Sequence, residues 1–183
     1  MIENVSNAIS EIGILFLSDF NRKYIMKMLH AAEVEFVPLA KCHAYVYLYK
    51  GHPLANQTAI SFDQLQDYPC LSFEQRNLDA LYLAEEILSE KEYVRTIKTN
   101  DRATMLNLMV GLNAYTLCSG IICEELNGSD YVAVPFLPDE SNYNPVMEIG
   151  YIYKKRTVLS SVGEDYIQEL KSYLAQTIED TQK

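Results

Sequence analysis

Short apolar runs alternate with stretches of helical period along nearly the whole of this sequence, and that alternation limits the chain to layered α/β architectures. Residues Val5 to Ser10 read as the last turns of a helix. They lead into Glu11-Ile-Gly-Ile-Leu-Phe-Leu17, a run short and apolar enough for a buried parallel strand. Asn21 to Leu29 then spaces Tyr24, Ile25, Met28 and Leu29 at helical intervals. Two strands follow: Val34 to Leu39, and Cys42 to Tyr49, the second dense in Tyr and Val and ending at Gly51-His52-Pro53. Ser61 can cap a short helix over Phe62 and Leu65 that stops at Tyr68-Pro69.

The same order continues. Cys70-Leu-Ser-Phe73 reads as a strand, Glu74 to Asn77 as a polar corner, Leu78 to Ser89 as a helix, and Tyr93 to Lys98 as a strand. Thr99-Asn100-Asp101 supplies N-cap candidates for a helix through Met105, Leu106, Leu108, Met109 and Leu112, closed near Gly111 and Asn113. A strand from Ala114 to Cys118 ends at Ser119-Gly120. Ile121 to Leu126 reads as a brief helix before the Asn127-Gly128 turn, and Tyr131 to Phe136 is extended. Leu137 to Pro145, with two prolines and two asparagines, is the one linker-like stretch. A strand from Val146 to Tyr153 and a helix from Ser160 to Thr177 close the pattern. The apolar positions of that helix (Val162, Tyr166, Ile167, Leu170, Tyr173 and Leu174) form a single stripe expected to pack on a sheet face.

Composition narrows the function classes. With 183 residues and 49% hydrophobic content, the chain can build one large domain or two small lobes sharing a crevice. A net charge of -10 repels a phosphate backbone, and the densest basic cluster, Lys154-Lys155-Arg156, reads as a solvated strand end; the chain is not expected to bind DNA by itself. Ile12 to Leu17, the longest apolar run, is too short to span a bilayer, and the N-terminus lacks a secretion-signal pattern, so a cytoplasmic protein without a membrane partner is expected. Cys42, Cys70, Cys118 and Cys123 sit in apolar surroundings without CxxC spacing. They read as reduced and buried, and neither a metal site nor a cofactor is expected. Tyr45, Tyr47 and Tyr49 share one strand face and are expected in a core or an interface.

Three segments together resemble the effector-binding domain of LysR-type bacterial transcription regulators. The first is Tyr45-Val-Tyr-Leu-Tyr-Lys-Gly-His-Pro-Leu-Ala55 followed by Ile60-Ser-Phe-Asp-Gln-Leu-Gln-Asp-Tyr-Pro69. The second joins Ile97-Lys-Thr-Asn-Asp-Arg-Ala-Thr104 to Leu108-Met-Val-Gly-Leu-Asn-Ala-Tyr-Thr-Leu-Cys-Ser-Gly120. The third is Glu148-Ile-Gly-Tyr-Ile-Tyr-Lys-Lys155 with the closing helix. The resemblance implies an α/β, two-lobed domain of periplasmic-binding-protein-like (type II) topology with a central hinge. Its first lobe is expected from residues 1–67 and 146–183 and its second from 68–145, with crossings near Asp67-Tyr68-Pro69 and Asn144-Pro145. The family's effector domain begins with a strand, helix and strand that follow a winged helix-turn-helix. This chain is expected to start after all of them, leaving an unpaired sheet edge in the first lobe.

In α/β lobes, small ligands bind outside the carboxyl ends of parallel strands, where strand-end polar groups and helix N-termini converge. That rule selects Ser18, Ser72, Gln75, Thr99, Asn100 and Ser119 as candidate ligand-binding residues. Each of these residue types also caps helices and turns chains for purely local reasons. No catalytic residue is expected: His30, His43 and His52 fall on unrelated elements, and Cys42 and His43, as strand neighbours, point to opposite faces. Cys118 and Cys123 flank Ser119-Gly120, where a redox role competes with structural burial. The implied function is effector sensing: an unknown small molecule binds between the lobes of a homo-oligomer and controls DNA contact through a domain outside this chain. The alternatives are a solute-binding protein of the same fold and, with less support, an enzyme on that fold.

Overall fold

The computed structural model describes residues 1–74, 93–122, 127–137 and 146–181, with side chains up to residue 177. The chain divides into two compact units, one made by Met1–Cys42 with Val146–Lys183 and the other by His43–Pro145.

The first unit is a three-stranded sheet with helices packed on it. Its elements are α1 (Ile2–Ser6), β1 (Ile12–Leu17), α2 (Arg22–Ala31), β2 (Val34–Cys42), β9 (Met147–Lys154) and α5 (Ser161–Thr181). The sheet order is β1-β9-β2, and β9 runs antiparallel to both neighbours. The parallel pairing expected for Ile12 to Leu17 is therefore absent from the described sheet, because β9 lies between the two strands that run the same way. Alternation along β1 turns Leu15 and Leu17 toward one face, where they bury with Val5 of α1, Ile25 and Leu29 of α2, Val34 and Ile152. α5 packs against β2. Of its apolar stripe only Ile167 and Leu174 are buried; Val162 is 75% exposed, Tyr166 50% and Tyr173 42%. The expected single buried stripe is thus split: α5 packs on β2 through Ile167 and Leu174, and Val162, Tyr166 and Tyr173 stay exposed.

Local chemistry fixes the element ends. Glu11, just before β1, accepts hydrogen bonds from the backbone N–H of Ser160 and from its Oγ at 2.8 Å, and Ser160 Oγ accepts the Gly163 N–H at 3.1 Å, capping α5. α1 ends at Ser6, earlier than the sequence pattern suggests.

The second unit contains β3 (Tyr45–Tyr49), β4 (Ile60–Ser61), α3 (Phe62–Leu65), β5 (Cys70–Phe73), β6 (Thr96–Thr99), α4 (Arg102–Leu112), β7 (Thr116–Cys118) and β8 (Tyr131–Leu137). Four strands run in the order β4-β8-β3-β7, and β5 pairs parallel with β6. A parallel bridge between Cys70 and Tyr115 joins the two groups. Residues 43–67, expected in the first lobe, fold here, because β3 takes its main-chain partners from β7 and β8, and β4 takes its own from β8. The core gathers Tyr47, Leu71, Met105, Met109 and Ala114, with Tyr49 packed against them. Asn113 ends α4 at φ +48, the left-handed conformation that Asn tolerates. The expected helix at Leu78 to Ser89 lies outside the described residues, as does most of that at Ile121 to Leu126.

Candidate functional site

The parallel pair β5 and β6 forms the part of the second unit where the α/β binding rule applies. Their register sets Ser72 beside Lys98 and Phe73 beside Thr99. The loop after β5 is tied to β6 by the Glu74 N–H, which donates to the Thr99 carbonyl at 2.8 Å. Ser72 and Thr99 thus occupy one strand end, as the sequence predicts. Their side chains part company, however, because residues in register on parallel strands share a face and successive residues alternate. Leu71 and Ile97, one register pair, pack in the core with Met105 and Met109 of α4, so Thr99 belongs to the α4 face and Ser72 with Lys98 to the opposite one.

Thr99 is 6% exposed, and its Oγ1 is buried without a hydrogen-bond partner. An orphaned hydroxyl of this kind costs about 1–3 kcal/mol relative to a satisfied one. It is not spent on the helix: Asp101 is the N-cap of α4, its Oδ1 accepting the Thr104 N–H at 2.8 Å. Hydrogen bonds from the Thr104 side chain and backbone hold the Asp101 carboxyl below the usual carboxylate range. Asn100, exposed, lies between Thr99 and that cap.

Other candidates have local duties. Ser119, half-buried, accepts the Ile121 N–H through Oγ at 3.4 Å, and Gly120 beyond it sits at φ +76, so close to the Tyr45 ring that a Cβ would meet it at 2.6 Å. Ser18, in the first unit, gives its backbone N–H to Asn21 Oδ1 at 2.8 Å, while Asn21 Nδ2 donates to the Phe16 carbonyl at 3.3 Å. That makes Ser18 part of a turn that buried Asn21 organises, a role the Ser-x-x-Asn spacing could have announced. Gln75 lies outside the described residues.

The histidines form no cluster. His30 and His43 are exposed, whereas His52 is buried with both ring nitrogens engaged within the second unit. The Cys42 thiol contacts the Met147 carbonyl, and burial pushes its pKa up to about 11, far from a reactive thiolate. Cys70 is buried and Cys118 half-buried; Cys123 lies outside the described residues. Among the described residues no group of three or more His, Cys, Asp or Glu side chains could hold a metal ion, and no helix is long and apolar enough to cross a membrane.

A family model described as the LysR substrate binding domain matches residues 21–175. The chain belongs to that family. Solved structures of LysR-type proteins share the fold. A putative LysR family transcriptional regulator from Pseudomonas aeruginosa superposes with a TM-score of 0.62 at 14% identity, over 94% of this chain and 56% of that one. The effector binding domain of QuiR in complex with shikimate gives 0.58 at 15% identity, over 94% and 75%. A putative transcriptional regulator from Vibrio parahaemolyticus gives 0.61 at 14%, over 98% and 77%. No curated protein matches the chain. The fold is thus that of a LysR effector domain, periplasmic-binding-protein-like and of type II, and the chain spans 56% of the length of the Pseudomonas regulator.

Proposed function

We propose that this LysR-family chain is the effector-sensing part of a transcription regulator, that its two units act as the two lobes of the sensor, and that the effector is a small molecule received at the carboxyl ends of β5 and β6. The observation that carries this reading is the buried, unpartnered Thr99 Oγ1 at a parallel strand end. A ligand donating a hydrogen bond there recovers what the folded chain leaves unmade, and closing on it shifts the population toward the liganded form. Ser72, on the other face of the same strand end, serves as a second contact, with Lys98 beside it. The signal passes to an attached DNA-binding domain in a cytoplasmic homo-oligomer, and the chain performs no catalysis. The inward commitment of His52 and the raised Cys42 thiol support binding over chemistry.

The test is a thermal-shift screen of small carboxylates, sugars and amides against the chain, repeated on Thr99→Val and Ser72→Ala. The expected result is a stabilising compound whose effect falls at least tenfold in affinity in Thr99→Val. Equal affinity in both variants would remove the site from β5 and β6.

A further inference from the structure

Asn127-Gly128 is the one Asn-Gly pair in the sequence; each of the other asparagines is followed by a residue that carries a side chain. The pair stands in the stretch that leads into β8, with Asn127 half-buried and Gly128 exposed. Gly128 is at φ +81, and a Cβ built on it would meet nothing within 4 Å, so no neighbour crowds the main chain on that side. The stretch is anchored just beyond the pair: the Lys50 N–H donates to the Asp130 carbonyl at 2.7 Å, and the Tyr131 hydroxyl donates to the Leu106 carbonyl of α4 at 3.4 Å. Arg102, in the first turn of α4, donates from Nη2 to Asn127 Oδ1. The Asp101 cap fixes that turn, so the guanidinium reaches the amide from a helix rather than from a loop. A permanent cation therefore sits on the oxygen that gains charge when a nucleophile adds to the side-chain carbon of Asn127.

We propose that Asn127-Gly128 is a self-modifying site, at which the Gly128 main-chain nitrogen converts Asn127 to an aspartyl or isoaspartyl residue with Arg102 as the oxyanion donor. Hydroxide removes the Gly128 N–H proton, and the nitrogen attacks Asn127 Cγ. A C–N bond forms, and the carbonyl electron pair moves onto Oδ1, where the Arg102 Nη2–H stabilises it. The pair returns to carbon and the Cγ–Nδ2 bond breaks. The leaving nitrogen takes a proton from water, which restores the hydroxide, and departs as ammonia. The product is a five-membered cyclic imide. Water then adds to one of its two carbonyls: opening at one gives aspartate, and opening at the other gives isoaspartate, whose main chain is one methylene longer just before β8. Nothing is oxidised or reduced, and water is the co-reactant. Either product adds one negative charge to a chain of net charge -10. Aspartate also turns the amide contact between α4 and the approach to β8 into an ion pair with Arg102. The modification is independent of the effector reading, which concerns β5 and β6.

Intact-mass measurement and peptide mapping of the full chain, held at physiological pH and temperature, test it. The expected result is a gain of one mass unit confined to the peptide holding residues 127–128. It should be preceded by a species lighter by the mass of ammonia, which hydroxylamine cleaves between these two residues. Arg102→Ala is expected to slow the reaction about tenfold in the folded chain, less than in a buried oxyanion hole because Arg102 is exposed. In urea, where no fold holds Arg102 on the amide, the same substitution should change nothing. Gly128→Ala is expected to slow the reaction in both states. A folded wild-type chain that stays unmodified, or equal folded-state rates with and without Arg102, overturns the proposal. Should Arg102→Ala not fold, the wild type alone decides: a folded chain reacting at least as fast as its urea-unfolded form supports the assisted site, and a slower one rejects it.

Discussion

His52 Nε2–H donates to the carbonyl of Asn113 at 3.0 Å, locking the Gly-His-Pro turn to the end of a helix that lies 61 positions further along the chain. The tautomer follows from the other nitrogen, which accepts the Leu54 N–H at 3.0 Å, while the Tyr68 ring lies 4.4 Å away. A proton on Nδ1 would set two donors against each other. Burial accordingly holds the pKa below its ordinary 6.5, opposed in part by the bond to Asn113. A depressed folded-state pKa means that the unfolded chain takes up the proton first. The stability of the neutral form is therefore complete above pH 6.5 and is lost as pH falls below it. Melting curves between pH 7.5 and 5 should show the melting temperature falling by a few degrees, and His52→Gln should flatten that slope while lowering stability at neutral pH.

Thr99→Val should be tolerated. Replacing an orphaned buried hydroxyl by a methyl of similar size removes an unmade hydrogen bond, so the free chain should keep its stability or gain about 1 kcal/mol. Urea titration checks this, and a loss above about 2 kcal/mol would mean that Oγ1 has a partner within the chain.

Gly150→Ala should be costly. The glycine stands between Leu15 and Pro38 in the first unit's sheet, and a Cβ there falls inside van der Waals reach of the Phe36 ring and the Val37 carbonyl oxygen. Because the backbone oxygen cannot swing away, a loss of about 1–3 kcal/mol is expected from denaturant unfolding.

Arg22 and Glu148 form an ion pair at 2.6 Å that joins α2 to β9. Arg22 is 43% exposed and Glu148 17%, so the pair is neither fully solvated nor deeply buried. Arg22→Ala should lower stability by about 1 kcal/mol, and a double-mutant cycle with Glu148→Gln should return a coupling below that figure. The coupling should shrink further in high salt.

Element types were legible wherever periodicity was strong. Ile12 to Leu17, the helix through Met105 and Met109, and the closing helix all stand within a few residues of their patterns. Pairing was not legible. Nothing local in Ile12 to Leu17 announces that its ladder is antiparallel and its partner is Met147–Lys154, because register is settled between residues far apart in sequence. For the same reason β2 runs on to Cys42, where it still pairs with Met147, while β3 begins afresh at Tyr45 with partners in the other unit. At the candidate site, the strand-end positions of Ser72 and Thr99 were legible in the sequence. Their opposite faces needed the β5-β6 register, and the orphaned Oγ1 needed the packing around it.

The order β1-β9-β2 also bears on how the protein is made. β1 and β2 emerge from the ribosome before β9 and are not paired with each other. The strand that unites them is synthesised only after residues 43–145, a contiguous segment able to close on itself, have appeared. The inserted unit can therefore finish first, while the apolar strands of its host wait for a keystone that arrives last.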